Sequence, residues 1–481
     1  MKRLKKSQIF WLILLIAILV LGALLVYSVV VHDRAGESLS FGGQIRAEIF
    51  YFILAFLLLI PILLVGLLIA ILFGKRRSAD ESSIVATLDN GECVVSPGND
   101  SGVVLSMPQM QQRAVTPEED EHAERFCMLC EIDRNSTSYG HAVYEKRADL
   151  ESFCEDFRNY AASKLKLYYD IEDIRRFVAG MAVSKLVILQ GMSGTGKTSL
   201  AHAFGSFMDN PSTVIPVQPM WKERTDLVGY YNEFTKRFNE TLLLEKMYEA
   251  NYSKDIYITV LDEMNIARVE YYFAEFLSLL ELPNPDERYI DVVSDKWETD
   301  PRQFKDGRIK LPENMWFVGT ANNDDSTFAI SDKVYDRAMI LNLDTKCERF
   351  AAPAVTKKPL AASEFSVLVD RAIKEFAVSK RNAKRLESLD KYLIEHFHIT
   401  FGNRIMKQIN TYIPVYVACG GDELTALDDI LSKKVIRKLE TQNPIYLRNS
   451  AEGLLAYIDE LFGQDKMPIC REHIHRLQRN A

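Results

Sequence analysis

A chain of 481 residues has room for two to four folded units, and 48% hydrophobic against 26% charged residues is a globular composition with an apolar excess. A formal net charge of −8 argues against a whole-molecule attraction to nucleic acid. Seven cysteines, odd in number and widely spaced, argue against a disulfide framework and point to a reducing compartment.

The apolar excess sits at the N-terminus. Residues 9–31 and 49–73 carry no charged residue, and each exceeds the roughly 20 residues a helix needs to cross a bilayer core of about 30 Å. Lys2, Arg3, Lys5 and Lys6 precede the first span, and Lys75, Arg76 and Arg77 follow the second. The positive-inside rule therefore predicts a two-pass hairpin over residues 1–77 in the cell membrane (plasma or inner), with both ends cytoplasmic. The first span is too long for the core of a cleaved signal peptide. Residues 78–145 read as a flexible tether, since "SADESS", "SPGNDSG" and "TPEEDE" bury little apolar area. Within it, Cys127 and Cys130 form "CMLC". A structural zinc site wants four ligands, and no second pair stands at a familiar spacing, so no zinc is expected.

From residue 146 to 350 the pattern becomes α/β. Two helical stretches, "LESFCEDFRNYAASKL" and "DIEDIRRFVAGMAVSKL", lead into five apolar runs: "LVILQG", "TVIPVQ", "IYITVLDE", "MWFVGTANN" and "RAMILNL". Helical stretches separate most of these runs, which predicts a mainly parallel sheet with helices on both faces. Residues 351–445 are helical in pattern and read as a separate lid. Residues 446–481 read as a further helical extension.

The chemistry concentrates at the ends of three of these strands. "GMSGTGKT" fits the phosphate-loop pattern and has the context it needs, a strand before it and a helix after. Its glycines let backbone N–H groups curl around phosphate oxygens at a helix N-terminus. Gly191, Ser193, Gly194, Thr195, Gly196, Lys197, Thr198 and Ser199 are thus the expected nucleotide-holding residues. Lys197 is expected on the β- and γ-phosphates and Thr198 on Mg²⁺. Asp262 ends another strand and is expected on the same Mg²⁺, with Glu263 polarising the attacking water. Asn322, ending a third strand, is expected to orient that water. Arg337 lies where a helix runs into a strand; offered across a subunit boundary, it would stabilise charge on a neighbour's nucleotide. ATP is the default nucleotide, since nothing in the sequence reads the base.

These segments resemble AAA+ ATPases of the branch containing McrB, MoxR and the dynein-like motors. "LDEMNIARVEYYFAEFLSLLE" is similar to that branch's acid–Asn motif and following helix, and "FVGTANNDDSTFAISDKVYDRA" to its sensor-one strand and arginine-finger helix. The resemblance covers roughly 184–343 well and extends more loosely to 439. It implies an AAA+ core with a C-terminal helical lid, Asn322 as sensor one, Arg337 as the finger, and Arg404 in "FGNRIMK" as the lid's sensor-two arginine. It further implies a homo-oligomeric ring, expected to be a hexamer, that hydrolyses ATP with Mg²⁺ to remodel a protein client as MoxR-like proteins do. The rival is an McrB-like motor driving a nuclease subunit in a defence system. Only one arginine stands at the finger position, and the membrane hairpin replaces McrB's DNA-reading domain, so direct nucleic-acid binding is not expected. The aromatic segment 220–238, with Trp221, Tyr230, Tyr231 and Phe234, corresponds to an insertion that faces the client, and residues 287–312 read as a second hairpin insertion.

Overall fold

The computed structural model describes residues 124–480, apart from 142, 145, 147, 148, 323–326 and 345. The expected hairpin and most of the tether lie outside the described residues. Among the described residues, no helix is long and apolar enough to cross a membrane.

All five expected strands form, and together they make one parallel sheet. Strands β1 (Leu186–Gln190) and β2 (Thr213–Pro216) bracket the phosphate loop and its helix, and the hairpin β3 (Gly229–Asn232) and β4 (Arg237–Glu240) stands apart from the sheet. Strand β5 (Tyr257–Asp262) carries the acid pair, and a second hairpin, β6 (Tyr289–Asp291) with β7 (Arg308–Lys310), precedes β8 (Met315–Ala321) and β9 (Met339–Asn342). The sheet order is β2-β5-β8-β1-β9. After β1 the chain crosses to the far edge of the sheet, returns through β5 and β8, and only then reaches β9 on the other side of β1. In open α/β sheets that reversal marks the ligand crevice, outside the carboxyl ends of the strands.

Strand alternation divides the core into two layers. Val187 and Leu189 join one buried cluster, Leu186 and Ile188 the other. The first layer holds helices Leu150–Tyr160, Ile171–Val183 and Lys197–Phe207, knit by edge-on contacts of Phe204 with Phe157 and Phe177 at 5.2 and 5.4 Å. The second stacks Phe273 on Phe276 at 4.8 Å and sets both edge-on to Phe317. Edge-to-face and offset-stacked rings add to the burial of these large side chains.

Beyond residue 355 six helices follow: Ala362–Glu375, Lys380–Phe397, Gly402–Ala418, Glu423–Lys434, Pro444–Phe462 and Pro468–Asn480. The Gly402–Ala418 helix lies on the Ile171–Val183 helix, and the last helix packs on both the Glu423–Lys434 and Pro444–Phe462 helices. The lid (351–445) and extension (446–481) read from the sequence are thus continuous in packing.

The tether boundary at 145 is corrected by the first described residues. Residues 127–134 form a helix whose first N–H groups, on Cys127, Met128 and Leu129, donate to the Glu240 carboxylate at the end of β4. Phe126 is fully buried between Phe238 and Phe304. Arg125 makes a buried bidentate pair with Asp300, both contacts at 2.7 Å, and lies over the Trp297 ring. A carboxylate at a helix N-terminus satisfies orphan donors and matches the dipole. These partners come from 111 or more residues away, so composition alone reads the segment as polar linker.

Candidate functional site: a phosphate loop at the carboxyl edge and an arginine pair at the amino edge

The phosphate loop is held by backbone that tolerates no side chain at its first residue. Gly191 has φ of +142°, and a Cβ there would stand 2.3 Å from the Leu343 carbonyl oxygen, just past β9. The loop closes on Gly196, in the left-handed region at +95°, whose carbonyl accepts a hydrogen bond from the buried Tyr169 hydroxyl at 3.1 Å. Burial pushes the Tyr169 phenol well above its ordinary range, which keeps it a neutral donor. Lys197 is buried at the helix start, and its Nζ donates to the carbonyls of Gly191 and Met192 at 2.9 and 2.8 Å. The lysine thus curls over the loop interior.

Strand register sets the acids beside this loop. Gln190 pairs with Ala321, and Leu261 with Gly319, so Asp262 and Asn322 stand at the same edge as Gly191. Asp262 Oδ1 accepts from Thr198 Oγ1 at 2.9 Å and from Thr320 Oγ1 at 2.8 Å. The Thr320 hydroxyl in turn accepts from the Glu263 N–H at 2.8 Å. Glu263 is exposed and left-handed, with φ of +52°. Such strain in a non-glycine residue persists where surrounding contacts fix it, and it concentrates at functional sites. Asn322 is half-buried, and its carbonyl is fixed by Asn265 at 2.9 Å and Thr327 at 3.1 Å. The hydroxyl of Thr198 and the carboxylate of Asp262 form an all-oxygen pair that suits a hard cation such as Mg²⁺.

Arg337 and Arg404 are elsewhere. Arg337 Nη2 bonds Glu281 Oε2 at 2.7 Å, and Arg404 Nη2 contacts the other oxygen of the same carboxylate. These three residues line a cavity of about 740 Å³ with Ser184, Lys185 and Trp316, at the amino ends of β1 and β8. A strand of five residues at about 3.3 Å each puts this cluster roughly 15 Å from the phosphate loop. Arg404, expected as the lid's sensor-two arginine, thus stands away from its own chain's phosphate loop. The physical reason is that the Gly402–Ala418 helix packs along Ile171–Val183, and its first turn reaches the amino edge. The Glu281 carboxyl is held below the usual range chiefly by the Arg337 hydrogen bond, with the charges of both arginines outweighing the cost of burial. Arg337 makes no bond with Asp332 or Asp336, its nearest acids in sequence; Asp332 pairs with Arg437 instead, at 2.7 Å.

The C-terminal helices grip the segment that carries Arg337. Lys434, 3% exposed, donates to the Tyr335 and Ala338 carbonyls. Burial brings its pKa down to about 7, against the pull of Asp336. The Arg437 guanidinium lies 3.4 Å from the Tyr335 ring centre, Gln408 donates to the Asp336 carbonyl at 3.0 Å, and Gln190 donates to the Tyr335 hydroxyl. A second cleft of about 940 Å³ opens between these helices and the carboxyl edge, with Gln190, Asn322, Asn342, Asp344 and Arg437 in its walls.

Of the insertion aromatics, Trp221 and Tyr231 pack inward on Tyr272 and Trp297, while Phe234 is 99% exposed at the β3–β4 tip and Tyr230 is half-exposed. Residues 289–310 form the second hairpin. Thr320, Tyr169 and Glu281 were not identified from the sequence. Thr320 was findable, since it shares the Asn322 face of β8 two residues earlier. Tyr169 carries no local signal, and Glu281, which ends the "AEFLSLLE" helix of the resemblance, carries none for an arginine partner.

A glycine loop, a lysine and an acid pair at the switch point of a five-stranded parallel sheet define a phosphate-loop nucleotide-binding core. Residues 186–338 match the AAA domain (dynein-related subfamily), and residues 355–481 match a domain of unknown function, DUF8727. No curated protein matches the chain. Among solved structures, a full-length MCM homolog from Methanopyrus kandleri is 12% identical with a TM-score of 0.34, covering 61% of this chain and 62% of its own. NtrX from Brucella abortus is 14% identical with a TM-score of 0.25, covering 69% and 71%. The chain thus spans less than two thirds of the MCM homolog's length.

Proposed function

We propose that this protein is a membrane-anchored ATPase that hydrolyses ATP in a ring of like subunits and uses the motion to remodel a protein client, as MoxR-like proteins do. The observation that carries the reading is the division of labour across the sheet. Lys197, Thr198, Asp262, Glu263 and Asn322 gather at one edge, and Arg337 and Arg404 share a carboxylate at the other. Both arginines thus stand at the edge away from their own phosphate loop, which supports the reading that they serve a neighbour's.

When bound, Mg²⁺ neutralises charge on the β- and γ-phosphates. Lys197 would hold the phosphates, and Thr198 and Asp262 would hold the ion. Glu263 orients the water in line with the γ-phosphate and takes its proton, with Asn322 fixing the water from the adjacent strand. The neighbour's Arg337 and Arg404 stabilise charge on the transferred group. Lys434 and Arg437 tie the arginine segment to the C-terminal helices, so rotation of those helices moves it. The β3–β4 hairpin presents Phe234 to the client. The resemblance to the McrB/MoxR branch and the uncharged spans at residues 9–31 and 49–73 support the ring and the anchor.

The test is Glu263→Gln in the full-length protein. It should bind ATP with wild-type affinity and turn over about 10² to 10⁴ times more slowly, the usual worth of a positioned base. Equal turnover in variant and wild type would sink the assignment. The trapped protein, purified with ATP, should retain its client.

A further inference from the structure

The amino-edge cavity is an anion receptor already holding an anion of its own. Lys185, Arg288, Arg337, Arg404 and Lys407 line it against Glu281 and Asp370. We infer that Glu281 is a placeholder for the terminal phosphoryl group of a nucleotide presented by a second copy of this chain, and that it must release Arg337 and Arg404 before they can act. This rests on the reading that both arginines serve a neighbour.

The geometry carries the inference. Each guanidinium reaches a different oxygen of one carboxylate, so the two side chains converge on a single small oxyanion. A carboxylate edge and a phosphoryl edge offer the same paired-acceptor face to guanidinium donors. Glu281 is also the last residue of the Ala274–Glu281 helix, where the helix dipole disfavours negative charge. The arginines, not the helix, keep it ionised. Arg337 Nε is buried with no hydrogen-bond partner among the described residues, so this guanidinium is incompletely satisfied by Glu281. A terminal phosphoryl group carries more negative charge and more acceptor oxygens than a carboxylate and displaces it. Until a neighbour supplies one, Glu281 keeps the arginines folded onto their own subunit, so hydrolysis waits on assembly.

The experiment measures ATP turnover of the full-length protein as a function of protein concentration. Glu281→Gln keeps the shape and removes the charge. Its half-maximal protein concentration should fall about tenfold, the size of change that loss of one charge-assisted hydrogen bond commonly makes. Glu281→Asp, too short to bridge both arginines, should give a smaller fall, and thermal melting checks that both variants fold. The gain should vanish in Glu281→Gln/Arg337→Ala. Unchanged or lower turnover in Glu281→Gln at every concentration overturns the placeholder role, as does a gain that survives loss of Arg337. Mixing Arg337→Ala with Lys197→Ala subunits separates the two ideas. If mixing restores turnover while Glu281→Gln changes nothing, only the placeholder falls; if mixing restores nothing, both fall.

Discussion

The two edges of the central sheet are built by different means. At the carboxyl edge, backbone geometry does most of the work: Gly191 and Gly196 in left-handed or crowded conformations, Glu263 strained, and three hydroxyl and amide contacts of 2.8 to 2.9 Å around Asp262 and Thr320. At the amino edge, long side chains from three separated elements meet around Glu281, and Arg404 remains 50% exposed. The first is a site whose backbone is already shaped for its ligand. The second is a set of ion pairs in partial contact with water, individually weak and readily exchanged. Transition-state stabilisation wants fixed donors where charge develops, and an inter-subunit trigger wants groups that can leave one partner for another.

The largest expected effect sharpens this contrast at its rigid end. Lys197→Ala should abolish ATP binding, measured by titration of the full-length protein, because a buried ammonium at the helix N-terminus has no substitute. Next, Arg404→Ala should reduce turnover by a factor approaching that of Arg337→Ala, about 10³ or more if both act as transition-state arginines. Mixed with Lys197→Ala subunits, Arg404→Ala should regain activity. Rescue of Arg337→Ala but not Arg404→Ala would return Arg404 to its own subunit's nucleotide and break the division between the edges. A smaller effect is expected from Phe234→Ala. Basal ATP turnover should stay within about twofold of wild type, while Glu263→Gln/Phe234→Ala purified with ATP should retain less client than Glu263→Gln.

The smallest effect concerns stability alone. His141 sits between Asp255 at 2.8 Å and Asp209 at 3.4 Å, just ahead of the amino end of β5. Burial of its ring works against the charge, yet the hydrogen bonds and charges of the two aspartates outweigh it, and its pKa is raised. Its contribution is therefore full below the unfolded value near 6.5 and is lost as pH rises through the folded value. His141→Ala should lower the melting temperature more at pH 5.5 than at pH 8.5. The difference should stay below about 1 kcal/mol, since the site is partly exposed and screened. An equal loss at both pH values would mean that the ring matters by packing and not by charge.

The legible parts of this molecule share a property. The five strands, the loop, Lys197, Thr198 and the Asp262–Glu263 pair are specified within runs of about ten residues, where apolar patterning and glycine placement act locally. The helix at 127–134 was illegible because its stabilising groups, Glu240, Asp300 and Phe304, come from distant elements. The place of Arg404 beside Glu281 was illegible because nothing in "FGNRIMK" states which face of the core its helix will cover. Trp221 and Phe234, alike in the sequence as client-facing aromatics of one insertion, part company because Trp221 lies ahead of the hairpin and packs on Tyr272, while Phe234 stands exposed at the hairpin tip.

The sequence by itself determined that a phosphate loop and an acid pair each end a strand of a parallel sheet; β8 stands between those two strands. Hydrogen-bonding capacity and steric freedom there are properties of consecutive residues. Only the tertiary structure decided that Arg337 and Arg404 belong together on Glu281, at the edge away from that loop. Glu281 and Arg337 are 56 positions apart and Arg404 lies beyond both. Attraction between such groups acts through space, and helix packing, not spacing along the chain, brings them within reach.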